Sequence, residues 1–280
     1  MPTATAPPVK TLTTPGGTTL GYREMGDGPS VLLVHGWPTS SFLWREVMPA
    51  IAESNRVVAI DLPGFGASDK PAHSRYTFAD FEQAIDGLLA ALQIEEVALA
   101  AHDIGGPVAV HWALSRPERV TRLALLNTLL YPEFDDSVIQ FVIELATPAT
   151  RAHRTSDAGL AEIMRLGVHD PAVIDDDVLA GVFAPFETSD ERRALALAGI
   201  GLQPEGFTEI AAGLGSLTMP VRAIYGEDDR VLPDVATTMR RLAIDVPHAE
   251  VTAIPDCGHF LQEEAPDLVG RLLAEFFGPT

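Results

Sequence analysis

Short apolar runs alternate along this chain with stretches of helical spacing, and that alternation narrows the fold more than any other feature. Strand-like runs stand at Val31–Val34, Arg56–Asp61, Val97–Ala101, Val120–Leu126, Val221–Tyr225 and Ala249–Ile254. A run with no polar face is buried on both sides, as happens in parallel sheets covered by helices. Between the runs, residues 41–53 place Phe42, Val47 and Ile51 at helical spacing. Residues 78–92 put Phe78, Phe81, Ile85, Leu88, Leu89 and Leu92 on one face, and a helix over 104–115 is stopped by Arg116-Pro117. Residues 10–22 read as a hairpin turning at Pro15-Gly16-Gly17, and a last helix is predicted over 261–277. Strand and helix in alternation predict an α/β protein built on a mostly parallel sheet with helices on both faces.

The rhythm breaks between residues 129 and 213. No strand pattern occurs there, and short helical stretches are punctuated by clusters such as His169-Asp170-Pro171 and Asp175-Asp176-Asp177. The predicted organisation is a core of residues 1–128 and 214–280 with a helical insertion at 129–213. The chain's 280 residues suit one large domain of this kind, and an apolar share of 46% suffices for its core.

Charge and cysteine content exclude several classes. With 19 basic and 39 acidic residues the net charge is −20, which repels a nucleic-acid backbone and disfavours anionic ligands. No apolar run is long enough to span a membrane, and MPTATAPPVK shows no basic patch followed by an apolar segment. It reads as a short lead-in. Cys257 is the single cysteine, so neither an intrachain disulfide nor a cysteine metal cluster is available, and a cytoplasmic location is expected.

Sites in open α/β sheets gather at the carboxyl ends of the strands. The residues following the runs here are His35-Gly36-Trp37-Pro38, His102-Asp103-Ile104-Gly105-Gly106, Gly226-Glu227-Asp228-Asp229 and Asp256-Cys257-Gly258-His259. Ala101, Gly105 and Gly106 surround Asp103 in the pattern of a nucleophile elbow, a tight strand-to-helix turn that needs small neighbours. A carboxylate is already anionic, so it can attack a carbon bearing a leaving group and form an ester. His259 is then the base that activates water against that ester, and a second acid orients it. Asp103 could instead merely cap the following helix, but a cap does not require the glycine pair, the His-Gly-x-Pro loop, or the later acid and histidine at strand ends. Asp229 is chosen over Asp228 as the second acid, with Asp228 and Glu227 facing solvent. The backbone N–H groups of Ile104 and Trp37 are expected to form an oxyanion hole. His35 is assigned to its loop and the pocket, and His102 to the structure around the elbow. His153 and His169, in the insertion, are expected to lie away from the substrate.

The segments HGWPTSSFLWR (35–45), DLPGFGASDKP (61–71), HDIGG (102–106), GEDDRVLP (226–233) and CGHFLQEEAPD (257–267) resemble those of haloalkane dehalogenases and epoxide hydrolases, Asp-nucleophile members of the α/β-hydrolase superfamily. The resemblance spans residues 10–128 and 214–277. It implies an eight-stranded sheet, a helical cap inserted after the sixth strand, and no cofactor or metal. The chain also departs from each pattern. Haloalkane dehalogenases place a Trp after the nucleophile and commonly an Asn after His-Gly as side-chain halide donors, whereas Ile104 and Trp37 stand here. The Trp37 indole either donates to a leaving group or forms an apolar wall. Epoxide hydrolases use a pair of cap tyrosines, but only Tyr131 stands at the start of this insertion. The arginine that fluoroacetate-type enzymes place after the nucleophile is absent. The expected pocket is apolar, walled by Trp37, Phe42, Phe134, Phe183, Phe186 and Phe260, and takes a small, neutral, hydrophobic substrate together with water. No membrane or nucleic-acid partner is expected, and the chain is a monomer or homodimer. The readings left open are a haloalkane dehalogenase-like hydrolase, an epoxide hydrolase, a β-lactone-directed or ester hydrolase, and a non-catalytic ligand-binding protein.

Overall fold

A computed structural model describes residues 7–71 and 74–278. Most of the MPTATAPPVK lead-in lies outside the described residues. Eight strands form one sheet in the order β1-β2-β4-β3-β5-β6-β7-β8. They are β1 (Lys10–Thr13), β2 (Thr19–Met25), β3 (Ser30–Val34), β4 (Arg56–Ile60), β5 (Val97–Asp103), β6 (Val120–Thr128), β7 (Val221–Gly226) and β8 (Glu250–Ile254). β1 and β2 pair antiparallel, as does β2 with β4, and every other pairing is parallel. β5 lies in the middle of the sheet and every one of its residues is buried, which is why its sequence carries no polar alternation.

Helices follow the strands: α1 (Met48–Ile51), α2 (Phe78–Ala91), α3 (Gly105–Ser115), α4 (Asp136–Ala146), α5 (Pro148–Arg154), α6 (Asp157–Leu166), α7 (Asp176–Phe183), α8 (Ser189–Gly199), α9 (Pro204–Gly213), α10 (Val235–Asp245), α11 (Leu261–Glu264) and α12 (Pro266–Phe277). α2 starts at a reciprocal capping box between Thr77 and Asp80 and buries Phe78, Phe81, Ile85, Leu88 and Leu89. Burying each such side chain is worth about 1.5–3 kcal/mol. α4 to α9 lie between β6 and β7 with no strand among them. The polar clusters that interrupt this stretch in the sequence are helix starts. Asp135, Ser156, Asp175 and Thr188 each accept a backbone N–H at the N-terminus of α4, α6, α7 and α8.

Two predicted helices are broken. Residues 41–53 form a tight turn over Ser41–Trp44 and then the separate α1, whose first turn holds Pro49. The segment 261–277 divides into α11 and α12 at Ala265-Pro266, where Ala265 leaves the helical region with φ −134° and ψ 48°. The second break follows from Pro266, which disfavours a helical residue before it, and Pro49 is tolerated in the first turn of α1, where its missing N–H has no intrahelical partner to lose. No helix among the described residues is long and apolar enough to cross a membrane.

Candidate active site

β5 delivers Asp103 to the carboxyl edge of the sheet in a left-handed conformation, φ 52°. A non-glycine residue there is strained by about 1–3 kcal/mol, which its surroundings must hold. Thr128 Oγ1 donates to the Asp103 carbonyl (2.6 Å), and the Trp37 N–H donates to Asp103 Oδ1 (2.7 Å). The Ile104 N–H lies beside the carboxylate as well. The small residues of the motifs make this approach possible. A Cβ on Gly36 would overlap the Asp103 side chain, and one on Gly106 would overlap Thr128.

His259 follows β8, and its ring is fully buried. Nδ1 lies 2.8 Å from Asp229 Oδ2, and Nε2 lies 3.7 Å from Asp103 Oδ2 without a hydrogen-bond partner. Asp229, after β7, is held on both oxygens. Oδ1 accepts from the N–H groups of Val231 (2.8 Å) and Leu232 (2.7 Å), and Oδ2 accepts from the Asn127 amide (2.7 Å) as well as facing His259. Asn127 is fixed in turn by the Gly226 N–H, which donates to its Oδ1 at 2.9 Å. That bond assigns the amide orientation, so the Asn127 NH₂ can only donate toward Asp229. Sequence reasoning missed Asn127. The signal was available, since it is the first polar residue after the apolar run of β6, at a strand end of the kind that holds the other site residues.

The buried charges set one another. Burial pushes the Asp103 carboxyl above the usual carboxylate range, opposed by His259 and by the N–H groups of Ile104 and Trp37. Burial opposes protonation of His259, but Asp229 and then Asp103 outweigh it, so its pKa is raised above that of an ordinary imidazole. Burial, then His259, hold His102 well below the ordinary value. His102 is therefore a neutral prop, with Nε2 2.9 Å from the His259 carbonyl. Asp228 turns away from the site and pairs with His169 (2.6 Å). The donor atoms of His169, Asp228 and Asp256 lie within 4.8 Å of one another, which makes them the residues that could hold a cation; the His169–Asp228 hydrogen bond accounts for two of the three.

A cavity of about 520 Å³ opens onto Asp103. Trp37, Ile104, Phe134 and Phe260 line it as the sequence suggests, and Phe141 and Phe207 join them from the helical segment. Several expected wall residues stand elsewhere. Phe42 lies beneath the Arg45 guanidinium (4.0 Å from the ring centroid) and against Gly181 of α7. Phe186 is buried away from the cavity, and Phe183 is half-buried against the core. Tyr131 donates its hydroxyl to Asp245 (2.8 Å) beneath Arg241, outside the cavity. His35 is sealed behind the site, where Nε2 accepts from the Leu62 N–H (3.0 Å).

For Trp37 the structure favours one of the two readings left open. Its indole N–H donates to the Leu195 carbonyl of α8 (3.2 Å), so the ring presents an apolar wall, packed edge-on against Phe141. Trp37→Phe should cost about 1 kcal/mol by removing that bond, since the carbonyl keeps its place in the helix ladder of α8. Chemical denaturation checks this, and an unchanged midpoint would place the indole N–H outside that bond.

Residues 29–149 match the family described as the alpha/beta hydrolase fold. The chain is 31% identical to a haloalkane dehalogenase of Mesorhizobium japonicum, over 92% of this chain and 87% of that protein. Among solved structures it resembles a haloalkane dehalogenase from Bradyrhizobium elkani (28% identity, TM-score 0.83), covering 96% of this chain and 97% of the other. An epoxide hydrolase is similar too, at 25% identity and TM-score 0.84, covering 96% and 98% of the two chains.

Proposed function

The chain belongs to the α/β-hydrolase superfamily and is a hydrolase, and from that premise we propose that Asp103 is its nucleophile and an alkyl ester its intermediate. The supporting observation is the arrangement of one carboxylate: Asp103 Oδ1 sits on the Trp37 N–H, while Oδ2 faces His259 Nε2 across 3.7 Å. Oδ2 attacks an sp³ carbon, and the leaving group departs with its bonding pair. Alkylation then removes the Asp103 charge, one of the influences that raise the His259 pKa. The neutral form of His259 is thereby favoured; as the base it takes a proton from water, and the hydroxide adds to the Asp103 carboxyl carbon. The oxyanion on Oδ1 is held by Trp37 and Ile104 N–H groups, and Asp229 stabilises the imidazolium. Collapse breaks the bond between the carboxyl carbon and the alkyl oxygen, the product takes the proton from His259, and Asp103 is regenerated. The helical segment 129–213 serves as a cap on a core of residues 1–128 and 214–280.

The leaving group is a halide on a neutral, hydrophobic alkyl substrate, and water is the second reactant. With the Trp37 indole engaged and Ile104 lacking a polar side chain, neither of these two neighbours of Asp103 offers a side-chain N–H to a hard anion. A soft leaving group such as bromide suits such a site, and chloride suits it less. Tyr131 points to Asp245 rather than into the cavity, which argues against epoxide opening through that hydroxyl. Bromohexane, chlorohexane, an aryl epoxide and a β-lactone offered side by side test the reading. Bromide release should exceed chloride release by about 10²-fold, the scale of one lost stabilising donor. Faster hydrolysis of the epoxide or the lactone than of bromohexane would replace the halide reading.

A further inference from the structure

Four of the most exposed large apolar side chains also line the cavity: Ile139 (46% exposed), Val142 (40%), Ile143 (52%) and Leu166 (45%). Three of them belong to α4, DSVIQFVIELA, in which Leu145 alone is buried. A helix this apolar ordinarily hides most of its surface, and a contiguous apolar patch ordinarily has an occupant. The polar groups beside these residues already have partners in the protein. Glu144 takes the Arg154 guanidinium and the Gln140 amide, Gln203 donates to the Gly201 carbonyl, and Arg230 reaches the Val168 carbonyl.

We infer that the substrate carries an extended hydrocarbon tail, whose reacting carbon lies at Asp103 and whose far end leaves the cavity over Ile139, Ile143 and Leu166. The inference rests on the Asp103 reading above and deepens it. Continuity selects the occupant, because the same side chains form the inner wall and the outer lip, so a molecule that fills the cavity reaches them without a second binding event. With Glu144, Arg154 and Gln140 holding one another, the lip beside Ile139 and Ile143 is left mainly apolar. An anionic membrane surface is a poor occupant for a chain of net charge −20.

The test follows alkylation of His259→Gln protein by intact mass, using bromoalkanes from butyl to decyl. The apparent second-order rate constant should rise about fourfold per added methylene, the share expected for each buried CH₂. In a background that adds Ile143→Ser and Leu166→Ser the rise should flatten for the longer chains. Ile244→Ser, a substitution of a 75% exposed side chain outside the cavity lining, should keep the full slope. A slope that is flat from the start, or unchanged in the double variant, overturns the tail while leaving the Asp103 ester intact. A double variant that turns a dimer into a monomer with its slope unchanged makes the lip a self-association surface and also overturns the inference. No alkylation by any chain, in folded protein, overturns the Asp103 reading and the tail with it.

Discussion

Asp103→Asn is expected to reduce turnover by about 10⁴-fold or more, the scale seen when a covalent nucleophile is removed, while the protein stays folded. Asparagine keeps an oxygen that can accept the Trp37 N–H, and its size matches the gap beside Gly36. It also removes a charge that burial disfavours. The melting temperature should therefore hold or rise, as happens when a site strained for function is relieved. Asp103→Ala should be equally inactive. Steady-state rates with bromohexane and a thermal melt check the pair. Retained activity in either folded variant would mean that water attacks the substrate directly.

His259→Gln should separate the two chemical steps. Asp103 needs no base to attack, so the first step survives and the ester accumulates at about one equivalent per chain. The second step loses its base, so steady turnover should fall by about 10³-fold or more. The pH dependence carries a sign. The reactive form of Asp103 is the anion, and alkylation is lost as pH falls through its pKa. Burial has already raised that pKa, and the His259 charge is an influence that lowers it. Removing His259 should move the acid limb of alkylation to higher pH than in the parent protein. Pre-steady-state alkylation measured across pH reads this directly; a limb that moves down would place the titration on another group.

Much of this architecture is legible because parallel strands buried on both faces must be written as apolar runs. The strand ends then stand out as the first polar or glycine residues after each run. Asp103, Asp229 and His259 each stand shortly after such an end, and the structure brings their side chains together. Asn127 was as visible, yet an amide carries no chemistry of its own. Its part is to donate to Asp229 and accept from Gly226, and such a part exists only once β6 and β7 are neighbours.

The cavity wall was read less well. An aromatic residue announces burial but not which neighbour will bury it. Phe42 answers to Arg45 and Gly181, and Tyr131 to Asp245 and Arg241. Phe141 and Phe207 were overlooked in a segment whose helix phases depend on caps at Asp135, Ser156, Asp175 and Thr188. The Trp37 indole could not be assigned from sequence, because its partner, the Leu195 carbonyl, lies 158 positions away and belongs to every residue type alike.

The most direct test of the central claim is a single turnover of bromohexane by excess enzyme in ¹⁸O-labelled water. If Asp103 forms the ester, the alcohol released in that first turnover carries unlabelled oxygen taken from the carboxylate, and the peptide containing Asp103 gains the ¹⁸O. Labelled alcohol together with an unlabelled Asp103 peptide would contradict the account, because water would then have attacked the substrate itself.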